Sequence, residues 1–193
     1  VRLMATDAGA GAPQIGDAMP NFVLPDEAGE LVSLANLLQV GPVAVTFHRG
    51  HWCPYCRINT KALAEAQTKI AAAGAQIVAI MPDRQQFAVA LKQDSKMHYP
   101  VLIDMDNGYA LSLNLAIWVG AEVQELMAAS GRDLPRYQGN DTWMLPLPAS
   151  FVVDTEGIVR ARFIDPAYRK RMAIEDLLQA VREARNSRPL PPW

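Results

Sequence analysis

Cysteine is nearly absent: the chain has two in 193 residues, standing three positions apart as Cys53 and Cys56. A disulfide-stapled extracellular scaffold needs cysteines spread widely enough to close loops, so that class is excluded. Long apolar runs are missing as well, since none reaches the roughly 20 residues that span a bilayer. Neither sign of charge dominates, with 18 Lys and Arg against 20 Asp and Glu. That balance removes the broad basic footprint of a nucleic-acid binder. The stretch from Val1 to Gly16 is small and polar and lacks the apolar segment of a secretion signal. A cytoplasmic protein with no membrane or nucleic-acid partner is expected.

What remains is ordinary for a soluble globular chain, 50% hydrophobic and 20% charged, and long enough to bury a real core. The expected division is a flexible lead over 1–15, one domain over 16–186 and a Pro-rich tail over 187–193. Phe22 to Pro25 and Leu31-Val32 flank a turn and read as a small N-terminal hairpin. Ser33 is placed to cap a short helix over Leu34 to Leu38. Val43 to Phe47 and Ile77 to Met81 are apolar, β-rich runs, separated by a helical pattern that starts near Pro54 and stops at Gly74. Strand, helix, strand implies a right-handed crossover and a parallel pair. A helix over 84–93, a short strand at Val101 to Ile103 and helical pattern from Tyr109 and again around Val123 to Met127 follow. Residues 132–148 lack period and read as a long loop. Ser150 to Val153 and Ile158 to Phe163 form the clearest hairpin, and Ile174 to Val181 a last amphipathic helix. The fold class is therefore α/β, a mixed sheet with helices on both faces.

The chemistry converges on one junction. A strand ends at Phe47 and a helix starts near Pro54, which puts Cys53 at a helix N-terminus. There the macrodipole and unpaired backbone N–H groups favour a thiolate, and such sites lower a cysteine pKa from about 8.5 to roughly 3.5–7.5. Cys56, one turn on, is placed to close a disulfide or resolve a mixed one. Other readings of these residues are a pair of inert core cysteines and a zinc site drawing on His48, His51, Cys53 and Cys56. Arg49 offers a permanent cation to a thiolate, or else a surface ion pair. Trp52 packs beside the cysteines or in the core, and His51 is either a proton carrier or a plain loop histidine. Asp104, Asp106 and Asn107 make a polar turn. Trp143 to Leu145 reads as core, or as the border of a cleft or subunit contact. No cofactor or metal is called for.

The segment from Phe47 to Cys56, together with Gly16 to Phe22, Ile77 to Asp83 and Pro148 to Gly157, resembles peroxiredoxin-like proteins of the alkyl hydroperoxide reductase and thiol-specific antioxidant (AhpC/TSA) family. The resemblance implies a thioredoxin-like fold and a thiol peroxidase that draws electrons from a thioredoxin- or glutaredoxin-like reductant. It also implies self-association as a homodimer. It further implies that Pro148 matches the cis-proline facing the cysteines in that fold. The family's Pro-x-x-x-Thr-x-x-Cys pattern falls here on Arg49, Cys53 and Cys56 and makes Cys56 the attacking thiol. Cys-Pro-Tyr-Cys is instead the glutaredoxin form, in which Cys53 attacks disulfides. Accessibility favours Cys53. No counterpart of the family's second arginine is visible before Ser150.

Overall fold

The structure is a computed structural model that describes residues 8–186. The Pro-rich tail and the first seven residues of the expected lead lie outside that range. From Ala8 the chain is held against the sheet. Ala12 is buried, Gly9 accepts a hydrogen bond from Arg162, and the Gly16 N–H donates to the Val159 carbonyl at 2.8 Å.

A five-stranded sheet forms the centre. Strands β3 (Val43–Phe47), β4 (Gln76–Met81) and β5 (Val101–Ile103) run parallel, and β8 (Ala149–Val153) and β9 (Val159–Ile164) complete it antiparallel, in the order β5-β4-β3-β8-β9. β3 lies in the middle and is buried on both faces, which is why its sequence is a continuous apolar run. Its alternate residues feed two cores. Ala44 faces helices α2 (Pro54–Ala72), α3 (Gln85–Ser95) and α7 (Ile174–Asn186), with Leu63, Ile70, Leu91 and Val181 around it. Val43, Val45 and Phe47 face the opposite layer, where Tyr109, Leu113 and Phe151 pack. That layer holds the hairpin β1 (Val23–Pro25) and β2 (Leu31–Ser33), then α1 (Leu34–Leu38) and α4 (Gly108–Ser112). The hairpin and helices on both faces match the expected fold class.

Local chemistry accounts for the boundaries. The Ser33 hydroxyl accepts the Asn36 N–H at 3.1 Å and starts α1. Asp154 accepts the N–H groups of Glu156 and Ile158, both at 2.9 Å, so the β8–β9 turn is tied before Gly157 supplies its positive φ of 82°. Asp104 accepts from Tyr109 and Ala110 and anchors the polar turn to α4.

Two expectations need correction. The stretch read as a loop over 132–148 contains α6 (Leu134–Gln138) and β7 (Met144–Pro146). β7 pairs antiparallel with β6 (Ala116–Trp118), and α5 (Ala121–Ala129) lies between them in sequence. Strands of three residues carry too little period to be read, and Pro135 and Pro146 look like breakers. The second correction concerns Pro148, because no peptide bond is cis among the described residues. The chain runs extended from β7 into β8, with the Leu147 N–H on the Leu115 carbonyl at 2.7 Å and the Pro148 carbonyl accepting from Asp165 at 3.1 Å.

Candidate active site

The parallel strands β3 and β4 end side by side, and the loop after β3 carries the cysteines. Open α/β sheets place their sites at such carboxyl ends. His48 remains inside the sheet. Its Nε2 lies 3.0 Å from the Thr46 hydroxyl, which itself donates to the Val78 carbonyl, so the imidazole is the donor and Nδ1 is left a buried acceptor without a partner. Burial and the neighbouring Arg171 depress its pKa to about 3, which keeps it neutral. His51 turns outward instead, with Nε2 2.9 Å from Asp94 and its ring against Phe87. Neither histidine ring is hydrogen-bonded to a cysteine. Among the described residues no three His, Cys, Asp or Glu side chains gather to hold a metal.

Cys53 is the N-cap of α2, with extended backbone angles, and Pro54 follows at the first helical position. Its own N–H donates to the Gly50 carbonyl at 3.2 Å, which closes the loop tightly. Cys53 and Cys56 are both free thiols, 1% and 0% exposed, so exposure alone does not separate them. The pocket does: a cavity of about 480 Å³ opens on Cys53, and Cys56 is not among its lining residues.

The two thiols titrate as a pair. A hydrogen bond from Cys56, opposed by burial and helped by Arg49, lowers Cys53 to about 6. Burial and the Cys53 charge push Cys56 up. Cys56 sulfur accepts the Arg49 N–H at 3.3 Å and Arg171 Nη2 at 3.2 Å, so it sits among donors while it donates to its neighbour. Arg171 is a second arginine at this site. It comes from the loop between β9 and α7, where its Nη1 is held by the carbonyls of Tyr168 and Lys170.

Arg49 lies between two aromatic faces, 5.0 Å from the Trp52 ring and 4.4 Å from that of Tyr168. Burial lowers its pKa while both cysteines raise it, and none of the ion pairs among the described residues includes it. The result is a desolvated cation beside Cys53 whose charge is matched by no carboxylate among the described residues. Trp52 also backs a small third core with Met127, Leu134, Leu145 and Trp143, and α5 with the turn after it forms one wall of the pocket. Val123 and Met127 give that wall an apolar surface, Ile58 of α2 adds another apolar side chain to the lining, and Arg132 adds a further cation.

Of the residues singled out in the sequence, Cys53, Cys56, Arg49 and Trp52 meet at one point. His51 shares the loop but not the pocket, and Pro148 is buried where β8 begins. Tyr168, Arg171, Met127, Arg132 and Asp83 were missed. For Asp83 a signal existed, because it follows the carboxyl end of a buried parallel strand. Tyr168 and Arg171 sit in the run Tyr168-Arg169-Lys170-Arg171, which reads as a solvated charged loop.

A sequence profile of the AhpC/TSA family matches residues 15–162. A thiol-disulfide oxidoreductase, ResA, of Bacillus anthracis is 28% identical over 151 residues, which is 78% of this chain and 70% of that one. A chloroplastic peroxiredoxin Q of Suaeda salsa is 33% identical over 92 residues, covering 48% of this chain and 42% of the other. Among solved structures, the peroxidoxin BcpB of Mycobacterium tuberculosis superposes with a TM-score of 0.70 at 22% identity, over 91% of this chain and 99% of its own. Peroxiredoxin Q of Xanthomonas campestris gives 0.64 at 13% identity, over 84% and 90%. These structural likenesses establish a shared fold.

Proposed function

Because the chain belongs to the AhpC/TSA family, we propose that it is a thiol redox enzyme that reduces hydroperoxides with Cys53 as the attacking thiolate and Cys56 as the resolving thiol. The observation that carries this reading is Cys53 lining the pocket beside Arg49, an arginine that no ion pair among the described residues includes. Arg49 and the first turn of α2 stabilise negative charge at that point, both on the thiolate and on the oxygen it displaces.

In the first step Cys53 sulfur attacks the distal oxygen of the hydroperoxide, the O–O bond breaks, and the proximal oxygen leaves with a proton as alcohol or water. Cys53 is then a sulfenic acid. In the second, Cys56 sulfur displaces that hydroxyl as water, using its own proton, and the Cys53–Cys56 disulfide forms. A thioredoxin- or glutaredoxin-like dithiol reduces the disulfide and is itself oxidised. Within this reading the enzyme works in the cytoplasm and associates as a homodimer, which sedimentation would test. Among the described residues no helix is long and apolar enough to cross a membrane.

A second reading keeps the residues and changes the oxidant. Cys53 stands where the peroxiredoxin pattern has Thr, and Cys53-Pro54 at the head of α2 suits attack on a disulfide. Mixing the reduced protein with stoichiometric hydrogen peroxide and following thiol loss by stopped flow separates the two. Oxidation much faster than that of free cysteine supports the peroxidase. A rate no faster, with brisk reduction of insulin disulfides, transfers the function to disulfide exchange.

A further inference from the structure

Four aspartates are buried among the described residues, Asp83, Asp104, Asp154 and Asp165, and three of them are built into the fold by both oxygens. Asp104 accepts the N–H groups of Tyr109 and Ala110. Asp154 holds the β8–β9 turn and Arg160. Asp165 accepts from Ala167 and Lys170. Asp83 differs. It is 0% exposed, its Oδ2 accepts the His51 N–H at 2.7 Å, and its Oδ1 is buried with no partner. The indole Nε1 of Trp52 is a second buried polar atom without a partner. Both close on one face of Gly50: a methyl carbon there would lie 2.6 Å from Asp83 Oδ1 and 2.6 Å from Trp52 Nε1. A purely structural carboxyl would have both oxygens satisfied. This one has an idle oxygen, set beside Gly50 and Trp52, and Trp52 lines the pocket.

We propose that Asp83 stores the proton that the peroxide-cleaving step consumes, and releases it as the Cys53 charge disappears. The proposal rests on hydroperoxide reduction by Cys53. The proton balance of that chemistry requires a donor. Cys53 reacts as a thiolate and brings no proton, and the proton on Cys56 is used when its sulfur displaces water. The leaving oxygen of the first step therefore needs one proton from elsewhere. With Asp83 protonated the sum closes: the thiolate, the carboxylic acid, the Cys56 thiol and the hydroperoxide give the disulfide, an alcohol, a water and the Asp83 carboxylate.

The electrostatics fit that role. Burial, opposed by the His51 N–H and helped by the Cys53 charge, raises Asp83 to about 7, so a neutral carboxyl and a thiolate coexist near neutral pH. Other charges around it are few. The preceding loop contributes the backbone N–H of His51, whose ring is given to Asp94. From α2 comes Cys53, and from Asp83's own segment Arg84, whose guanidinium donates to the Arg136 carbonyl instead. No cation is paired with Asp83 among the described residues. When oxidation turns the thiolate into a neutral disulfide, the repulsion ends and the carboxyl becomes the stronger acid.

The test uses the full chain and Asp83→Asn, which keeps an acceptor for the His51 N–H. Stopped-flow oxidation by tert-butyl hydroperoxide, whose alkoxide is a poor leaving group, is measured across pH. In the unaltered protein the rate rises as Cys53 ionises and falls as Asp83 ionises. Asp83→Asn is expected to lower the maximum on the order of 10²-fold and to lose the falling limb, while Cys53 still titrates as a low-pKa thiol by its ultraviolet absorbance. An unchanged rate and profile in Asp83→Asn overturns the proposal. A second measurement needs no variant: the carboxyl ¹³C shift of Asp83 is titrated in reduced and disulfide protein. A midpoint lower by about one unit or more after oxidation supports the store, and an equal midpoint overturns it. Since the disulfide can be made with diamide, this arm stands even where the protein proves inert to peroxide, so the two readings fail separately.

Discussion

Replacing Cys56 tests the charge distribution on which the assignment of the attacking thiol depends. The first cause of the low Cys53 value is the hydrogen bond from Cys56, ahead of the attraction of Arg49. A hydrogen bond to a charged group is worth about 1.5–3 kcal/mol, and one pKa unit is about 1.4 kcal/mol. Cys56→Ala should therefore raise Cys53 by roughly 1–2 units, from about 6 toward 7–8. Near pH 7 the thiolate would fall from about nine-tenths of the molecules to a half or less. Cys56→Ser keeps a donor of nearly the same reach and should give a smaller rise. In Cys53→Ser the remaining thiol is the one burial pushes up, so it should ionise above the ordinary cysteine range. The assay is the pH dependence of alkylation by iodoacetamide, with thiolate ultraviolet absorbance as a check. A low midpoint that survives in Cys53→Ser and is lost in Cys56→Ser would refute the reasoning. It would make Cys56, with its Arg49 N–H and Arg171 donors, the thiolate of the site.

Three further outcomes follow from the same geometry. Gly50 has φ of +139° and no room for a methyl group between Asp83 and Trp52, so Gly50→Ala should cost about 1–3 kcal/mol in urea unfolding and slow peroxide reduction. His48 is held near 3 when folded against 6.5 unfolded, so the unfolded chain binds the extra proton between those values. Stability should therefore fall as pH drops through that window, and His48→Gln should flatten the decline in denaturation series. Asp83 is raised to about 7 from 3.8, so the folded state holds the extra proton and this residue's contribution falls as pH rises between those values. Asp83→Asn should gain on the unaltered protein across that interval, by at most about 4 kcal/mol, and a constant difference would show that Asp83 is not held protonated.

The parts legible in the sequence were those governed by neighbours in the chain. β3 and β4 are apolar runs because both their faces are covered, Ser33 caps α1 through a residue three positions on, and the Asp154–Gly157 turn is closed by its own carboxylate. Cys53 at the head of α2 belongs to the same class, since strand, loop and Pro54 all lie within a dozen residues. What stayed hidden depends on distance. Arg171 reaches Cys56 across 115 positions, and Tyr168 covers Arg49 from that same loop. Their local pattern, a tyrosine followed by three cations, is that of a solvated turn. β6 and β7 are three-residue strands whose pairing alone defines them, and α5, which follows β6, lines the pocket. On the proposed reading the cysteine motif supplies the reacting atoms, while the groups that set its charge come from segments whose sequence carries no mark of it. That division explains why the two family analogies disagreed over the attacking cysteine: each reads the short motif, and the preference for Cys53 arises from the hydrogen bond Cys56 gives it and from the cavity that opens on Cys53 alone of the two.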